Sequence, residues 1–410
     1  MKIGIFSDTH LGFGEGSERF EDSFLALSQA LRIFVEKKVD FILLGGDVFD
    51  SVDPSNEVLC KTISHLSFLK DKPCFVSVVI EKFGENVSSK LSFSSLPIFA
   101  IHGNHEFLGK DRKSTLDVLS EANLIYYFHS SKLSISKGNE KVVVFGLGAV
   151  PEKFALDVFS KWNPVPEKNC CNILLLHQGF KEFMAVEDEM VATLSLENLP
   201  KGFDLVVNGH LHWSNVQNLH SGKFLLAGST IPTSIKSLEA KASKGVFIFD
   251  TISKSLDFVS FPKQRKVFYH KLVFSDADNV EVVSKCISTI EADLVEASDS
   301  KPLVRLVLKG TLKKGLSNAD INVSEVEAKF HNKVFLSLSK DFSSVSFLKK
   351  ISEVRAEQKG KMSVVSTGFS ILEKNLAETR FPSNIDIKAF FDALVDSDFD
   401  KAEKILVKKN

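Results

Sequence analysis

The stretch VDFILLGGDVFD, Val39 to Asp50, is an apolar run that stops at two glycines and an aspartate. Alone it reads as a strand followed by a turn with an Asp in it. Its meaning changes once the same arrangement is found elsewhere in the chain. KIGIF ends at SDTH (Asp8, His10), LPIFAIH at GNHE (Asn104, His105), NILLL at HQG (His177) and FDLVV at NGHLH (His210, His212). Five strand ends therefore carry side chains suited to holding a metal. Such ends can converge on one rim of a sheet, which is where α/β proteins place their ligands.

In an extended chain, Asp-x-His and His-x-His put both side chains on one face, because the strand period is two. Each pair is then expected to chelate one ion. Two Asp, one Asn and four or five His are too many donors for a single tetrahedral zinc and suit two ions sharing a bridge, with Asp47 as that bridge. An imidazole-rich shell with carboxylate oxygens favours manganese, iron or zinc over magnesium, and manganese is the first expectation. Gly45, Gly46, Gly103 and Gly209 let the backbone turn closely beside a ligand. A single His at a strand end is ordinary, but of 11 His five lie in these turns. His65, His102, His129, His220, His270 and His331 lack that setting and are read as structural. LGFGEG, after His10, lacks the Lys-Ser/Thr ending of a phosphate-binding P-loop and reads as a loop at the rim.

Outward from these turns, the first part of the chain alternates strands and helices. Phe20, Phe24, Leu27, Leu31 and Phe34 recur at helical spacing, as do Val58, Leu59, Ile63, Leu66 and Leu69, and a third helix is expected near residues 114 to 122. Beyond residue 124 the runs become short strands and helices are scarce; Gly84 to Ser95 reads as a Ser-rich surface loop. Strand–helix units followed by a run of strands predict a two-sheet sandwich covered by helices. Near Pro262 to Lys266 the pattern resets into a small α/β unit. The expected domains are 1–263, 264–343 and a helical tail over 344–410, with Ile387, Phe390, Phe391, Leu394 and Val395 on one stripe and a short helix near Ala402 to Val407.

Composition sets the class. The 410 residues are 44% hydrophobic and 25% charged, an ordinary globular balance, with 36 Phe against 3 Tyr and 2 Trp. No apolar run approaches the roughly 18 residues that cross a bilayer. MKIGIFSD is not read as a signal or transit peptide, so the expected location is cytoplasmic and nucleoid-associated. Five cysteines without a C-x-x-C spacing indicate neither a disulfide framework nor a zinc finger. With 51 basic and 52 acidic residues the net charge is −1, so any nucleic-acid surface must be local. Lys110, Arg112 and Lys113, and Lys313 with Lys314, are the basic clusters, each of the kind that usually forms a solvated face.

The ordered set D-x-H, G-D, G-N-H-[DE], H and G-H-x-H resembles the calcineurin-like metallophosphoesterase superfamily over about residues 1 to 260. VDFILLGGDVFDSVDPS, LPIFAIHGNHE, FDLVVNGHLH and GSTIPTSIKSLEAKASKGVFIFD are similar, more narrowly, to the SbcD or meiotic-recombination-eleven family of double-strand-break repair nucleases, archaeal type. That resemblance implies a four-layer αββα core, a DNA-binding capping domain after residue 264 and a C-terminal segment that docks on a partner, the alternative being that its stripe packs against the cap. It implies a manganese-dependent nuclease with 3′-5′ exonuclease activity on duplex DNA and endonuclease activity on single strands. The enzyme would act on DNA ends as a homodimer with a coiled-coil ABC-type ATPase of the SbcC or Rad-fifty type. By motif, Asp8, His10, Asp47 and His212 would hold one of two Mn2+ ions, and Asp47, Asn104, His177 and His210 the other. His105 would be no ligand but would stabilise the transition state and help protonate the leaving oxygen. Two positions depart from the pattern: Asp50 stands where the family usually has His, and Glu106 where Asp is commoner. The alternative within the superfamily is a phosphodiesterase for small nucleotides or RNA.

Overall fold

The computed structural model describes residues 1–84, 88–107, 112–184, 194–297, 300–342 and 387–390. Lys110, the tail stripe beyond Phe390 and the short helix expected near Ala402 lie outside them. Two sheets dominate. The first has six strands in the order Leu256–Ser260, Gly245–Asp250, Lys2–Phe6, Phe41–Leu44, Ile98–Ala100 and Tyr126–Tyr127. Its last four strands run parallel. Parallel neighbours need crossover connections, and helices Phe20–Glu36, Asn56–Leu66 and Thr115–Glu121 supply them. The second sheet has eight strands, ordered Asn215–Leu219, Gly222–Leu226, Leu205–Asn208, Cys171–Leu176, Glu140–Leu147, Ser131–Lys137, Ser77–Lys82 and Ser88–Leu91.

Side-chain alternation turns these sheets into layers. On Phe41–Leu44, Phe41 and Leu43 face the second sheet, where they pack with Val142, Val144, Ile173, Leu175 and Val207. Ile42 and Leu44 point the other way, into the helix stripe formed by Phe24, Leu27, Leu31 and Phe34. The second sheet does the same: Leu174, Leu176 and Val206 face away from the first sheet and meet Ala155, Phe159 and Trp162 of helix Glu152–Trp162. The result is helix, sheet, sheet, helix. This is the four-layer sandwich implied by the sequence, and the central strands Phe41–Leu44 and Cys171–Leu176 are buried on both faces, which is why FILL and NILLL are apolar without a break.

Two local readings change. The helix Glu152–Trp162 falls where helices were expected to be scarce. Its buried stripe is only Ala155, Phe159 and Trp162, and Phe154, Leu156 and Val158 on other faces blur the period. The Ser-rich stretch is not all loop: Ser88–Leu91 pairs antiparallel with Ser77–Lys82 at the sheet's end. An exposed edge strand of this kind carries no apolar alternation for a sequence reading to find.

The chain divides into two compact units. One comprises Met1–Lys271, Lys285–Leu306 and Val323–Ser339; the other comprises Leu272–Ser284, Val307–Asn322 and the described residues from Lys340 onward. Both large sheets belong to the first unit. A third sheet has three strands, Val267–Ala277, Leu303–Leu312 and Phe335–Phe342, in that order. Among the described residues no helix is long and apolar enough to cross a membrane. All five cysteines are free.

Candidate metal centre

The five turns meet at one rim. Asp8, His10 and His212 bring ligand atoms within 4.8 Å of one another, and so do Asp8, Asp47 and His177. On the other side, His177 Nε2 lies 3.1 Å and His210 Nδ1 lies 3.0 Å from the single side-chain oxygen of Asn104. Asp47 sits between the two groups, its Oδ2 at 3.3 Å from His177 Nε2 and 4.0 Å from His10 Nε2.

The backbone reaches this arrangement by leaving the strand conformation. Asp8 (φ 51°), His10 (φ 44°), Asp47 (φ 46°) and His210 (φ 78°) all lie in the left-handed region that non-glycine residues avoid. The alternation expected of an extended Asp-x-His or His-x-His therefore does not operate here, because the strands end before these residues, at Phe6 and Asn208. The consequence is visible at the second pair. His212 joins His10, with Nε2 atoms 3.2 Å apart, whereas His210 turns to Asn104, so the two do not chelate one point together. Strain of this kind persists only where surrounding contacts hold it. Here the Asp8 carboxylate accepts from His210 N at 3.0 Å and the Asp47 carboxylate from His105 N at 3.0 Å.

Glycine is required where the turns close on one another. A Cβ on Gly103 would lie 1.9 Å from Asp47 Oδ1, and one on Gly46, itself at φ +95°, would lie 2.5 Å from His177 Nδ1. The neighbouring Glu106 is buried and bridges two turns, accepting from Phe49 N and Gly103 N, both at 2.8 Å. Burial raises its carboxyl to about 7.

The outer nitrogens of the rings are already occupied. His177 Nδ1 donates to the Gly45 carbonyl at 2.7 Å, and His105 Nδ1 donates to the Asp50 carbonyl at 2.6 Å. His10 Nδ1 meets Asp50 Oδ1 at 3.1 Å, and His212 Nδ1 meets the Thr233 hydroxyl. A carbonyl can only accept, so Nδ1 of His177 carries a proton and Nε2, facing Asp47 and Asn104, is the nitrogen at which a metal would displace a proton. Beside these rings, Asp8 Oδ2 is buried without a hydrogen-bond partner. Orphaned buried carboxylate oxygen is costly, and a cation among inward-facing imidazoles would satisfy it. The donor set fits divalent metal ions.

The electrostatics agree. Burial raises Asp8 to about 6 against the pull of His177. Asp47 is also desolvated, but the charge and hydrogen bond of His177, with the His105 N–H, outweigh burial and hold it below the usual carboxylate range. Burial alone would lower His177; Asp47 and Asp8 outweigh it and raise His177 to about 9. His210 and His212 are pushed down to about 4, chiefly by burial.

Every residue singled out in the sequence lies at this rim. Three others were given no role in the sequence reading. Asp50 contacts both His10 and His105. Glu239 and Lys244 form a buried pair at 3.3 Å under His212, with Lys244 Nζ donating to the His212 carbonyl at 2.7 Å and Glu239 accepting from Thr233 N at 2.8 Å. Asp50 was marked only as a departure from the family's His, and Glu239 and Lys244 only as part of the stretch GSTIPTSIKSLEAKASKGVFIFD. His102, left out of the site by the sequence, bonds the Tyr127 hydroxyl at 2.8 Å and the Ala149 carbonyl at 3.0 Å. Beside Asn104, His177 and His210 opens a cavity of about 210 Å³, walled by Phe107, Val150 and Pro151.

Comparison with known proteins agrees with this geometry. Residues 1–214 match the calcineurin-like phosphoesterase family. The chain is 30% identical over 322 residues to the DNA double-strand break repair protein Mre11 of Saccharolobus solfataricus, covering 76% of this chain and 75% of that protein. It is 28% identical to double-strand break repair protein MRE11 of Arabidopsis thaliana, over 83% of this chain and 51% of the relative, and 28% identical to that of Homo sapiens, over 75% and 50%. It thus spans about half the length of the plant and human relatives.

Proposed function

The chain belongs to the calcineurin-like phosphoesterase family and, within it, to the Mre11 double-strand break repair proteins, and from that premise we propose that it is a manganese-dependent DNA nuclease that processes DNA ends. The observation that carries this reading is the convergence of five strand-end turns on one rim, with the outer ring nitrogens engaged and a buried oxygen of Asp8 left over. In this reading Asp8, His10, Asp47 and His212 hold one Mn2+, and Asp47, Asn104, His177 and His210 hold the second. The ions, when bound, supply positive charge to the scissile phosphate and lower the pKa of the attacking water.

The remaining work falls to the chain's own groups. Asp47 keeps its charge by virtue of His177 and the His105 N–H, as a bridging carboxylate must. His105 keeps its Nδ1 proton on the Asp50 carbonyl throughout, so the proton given to the departing sugar oxygen would be a second one, carried on Nε2 of the doubly protonated ring. Membership also supports work with a coiled-coil ATPase partner of the Rad-fifty type, dimerisation, and a capping role for residues 264–343.

The test is a nuclease assay on end-labelled hairpin and single-stranded DNA with manganese or with EDTA, with and without the ATPase. Metal-dependent cleavage of both substrates is expected. A second reading, a phosphodiesterase for small nucleotides, is favoured by the cavity beside Asn104 and His210, which matches one small ligand better than a duplex. Rapid hydrolysis of nucleotide phosphodiesters with no cleavage of DNA would establish that reading and sink the first.

A further inference from the structure

We propose that Asp50 is a positioning residue of the metal centre, its side chain fixing His10 for a metal and its backbone fixing His105 for the proton. This rests on the two-metal reading above.

The geometry separates the two tasks. Asp50 Oδ1 lies 3.1 Å from His10 Nδ1, while the opposite nitrogen of the same buried ring, Nε2, lies 3.2 Å from His212 Nε2 and 4.0 Å from Asp47 Oδ2. The His10 ring therefore spans from Asp50 to the point where the metal donors meet. A carboxylate on the far nitrogen keeps the proton there, leaves the lone pair on Nε2 and raises its basicity as a ligand. The second task does not use the side chain. The Asp50 carbonyl accepts from His105 Nδ1 at 2.6 Å, and the His10 and His105 rings stand edge to face at 4.9 Å between centroids.

Asp50 can do this because its own place is fixed. Its N–H donates to the Leu11 carbonyl at 3.1 Å, one rung of a short ladder in which Leu11 N donates to the Val48 carbonyl at 2.8 Å and His10 N to the Asp47 carbonyl at 3.1 Å. One residue earlier, Phe49 N is held by Glu106 at 2.8 Å. The SDTH and GGDVFD turns are zipped together and the GNHE turn is clamped to them, so Asp50 cannot drift without breaking backbone hydrogen bonds. Its carboxylate is nevertheless 35% exposed, so water can replace part of what it supplies. The expected effect of removing it is accordingly at the lower end for a group that supports a ligand.

Asp50→Ala removes the carboxylate and keeps the carbonyl; Asp50→Asn keeps an oxygen that can accept but removes the charge. Manganese titration of the full chain, read by calorimetry and by electron paramagnetic resonance, is expected to show one of two ions weakened about tenfold in Asp50→Ala, and less in Asp50→Asn. The other ion should bind as in the wild type. The visible absorption of the cobalt-substituted protein should shift with the same site. The metal-free variants should melt with the wild type, since the backbone ladder is intact. Wild-type affinity and an unshifted cobalt spectrum in Asp50→Ala would overturn the proposal. So would complete loss of one ion in both variants, because Asp50 would then be a ligand itself. A wild-type protein that binds no manganese would instead remove the metal reading on which the proposal stands.

Discussion

At the scale of single residues, in the proposed reading the neighbours Asn104 and His105 have different tasks, metal binding and proton transfer. Asn104 offers one oxygen to two imidazoles, whereas His105 is held by the Asp50 carbonyl, with its ligand atom within 4.8 Å of those of His10 and Asp50. Asn104→Ala is expected to lower manganese affinity, and His105→Asn to keep both ions while losing turnover by roughly 10² to 10⁴, the usual worth of a general acid. Equal turnover in His105→Asn and wild type would refute the proton role. The charges at the rim also set a pH dependence. His177 rises from 6.5 to about 9 on folding, so its contribution to stability is complete below pH 6.5 and lost as pH rises through 9. Asp8 rises from 3.8 to about 6, so the folded state holds the extra proton in that window and loses stability as pH climbs through it. Asp47 acts oppositely and costs stability only as pH falls below its unfolded value of 3.8. Below pH 6.5 the loss from Asp8 is opposed by His210 and His212, which are held near 4 and so add stability as pH rises; metal-free protein should therefore melt at lower temperature from about pH 6.5 to 8, where His177 dominates, while manganese, competing with the same protons, binds more tightly as pH rises. A flat melting profile between pH 6.5 and 9 in EDTA would contradict the His177 assignment. The candidate ligand types were legible from residue identity alone; the roles of Asp50, Glu239 and Lys244 were not, because they exist only through the residues these side chains touch.

At the scale of elements, the site depends on how turns fit against one another. Gly103→Ala would drive a Cβ into the Asp47 side chain and backbone N at 1.9 and 2.4 Å. A loss of about 3 kcal/mol is expected, as for severe overpacking, measured by denaturant unfolding of metal-free protein. Glu106→Ala would strand the buried N–H groups of Phe49 and Gly103, each costing about 1–3 kcal/mol. It should weaken manganese binding as well, because both turns carry donors. Strands with unbroken apolar runs and helices with full stripes were legible in the sequence. The helix Glu152–Trp162 and the edge strand Ser88–Leu91 were not: one has too few buried positions to show a period, the other none.

At the scale of the whole molecule, the rim exists because two sheets are pressed together. Asp8, Asp47, Asn104 and His105 follow strands of the first sheet, and His177, His210 and His212 follow strands of the second. Phe41, fully buried between them, is a test of that dependence. Phe41→Ala should cost about 3–5 kcal/mol, whereas Val165→Ala, 67% exposed, should change stability by no more than about 0.5 kcal/mol. Comparable denaturation midpoints for the two would argue against the inter-sheet core as the main support. The sequence by itself determined the layers and the candidate donor residues, since apolar runs, helical stripes and strand-end turns are local patterns written into neighbouring positions. Only the tertiary structure decided how the donors are shared. His210 and His212 part company, and Asp50 serves two rings, because left-handed turns and inter-sheet packing set side-chain direction there, and strand alternation does not extend past the strand.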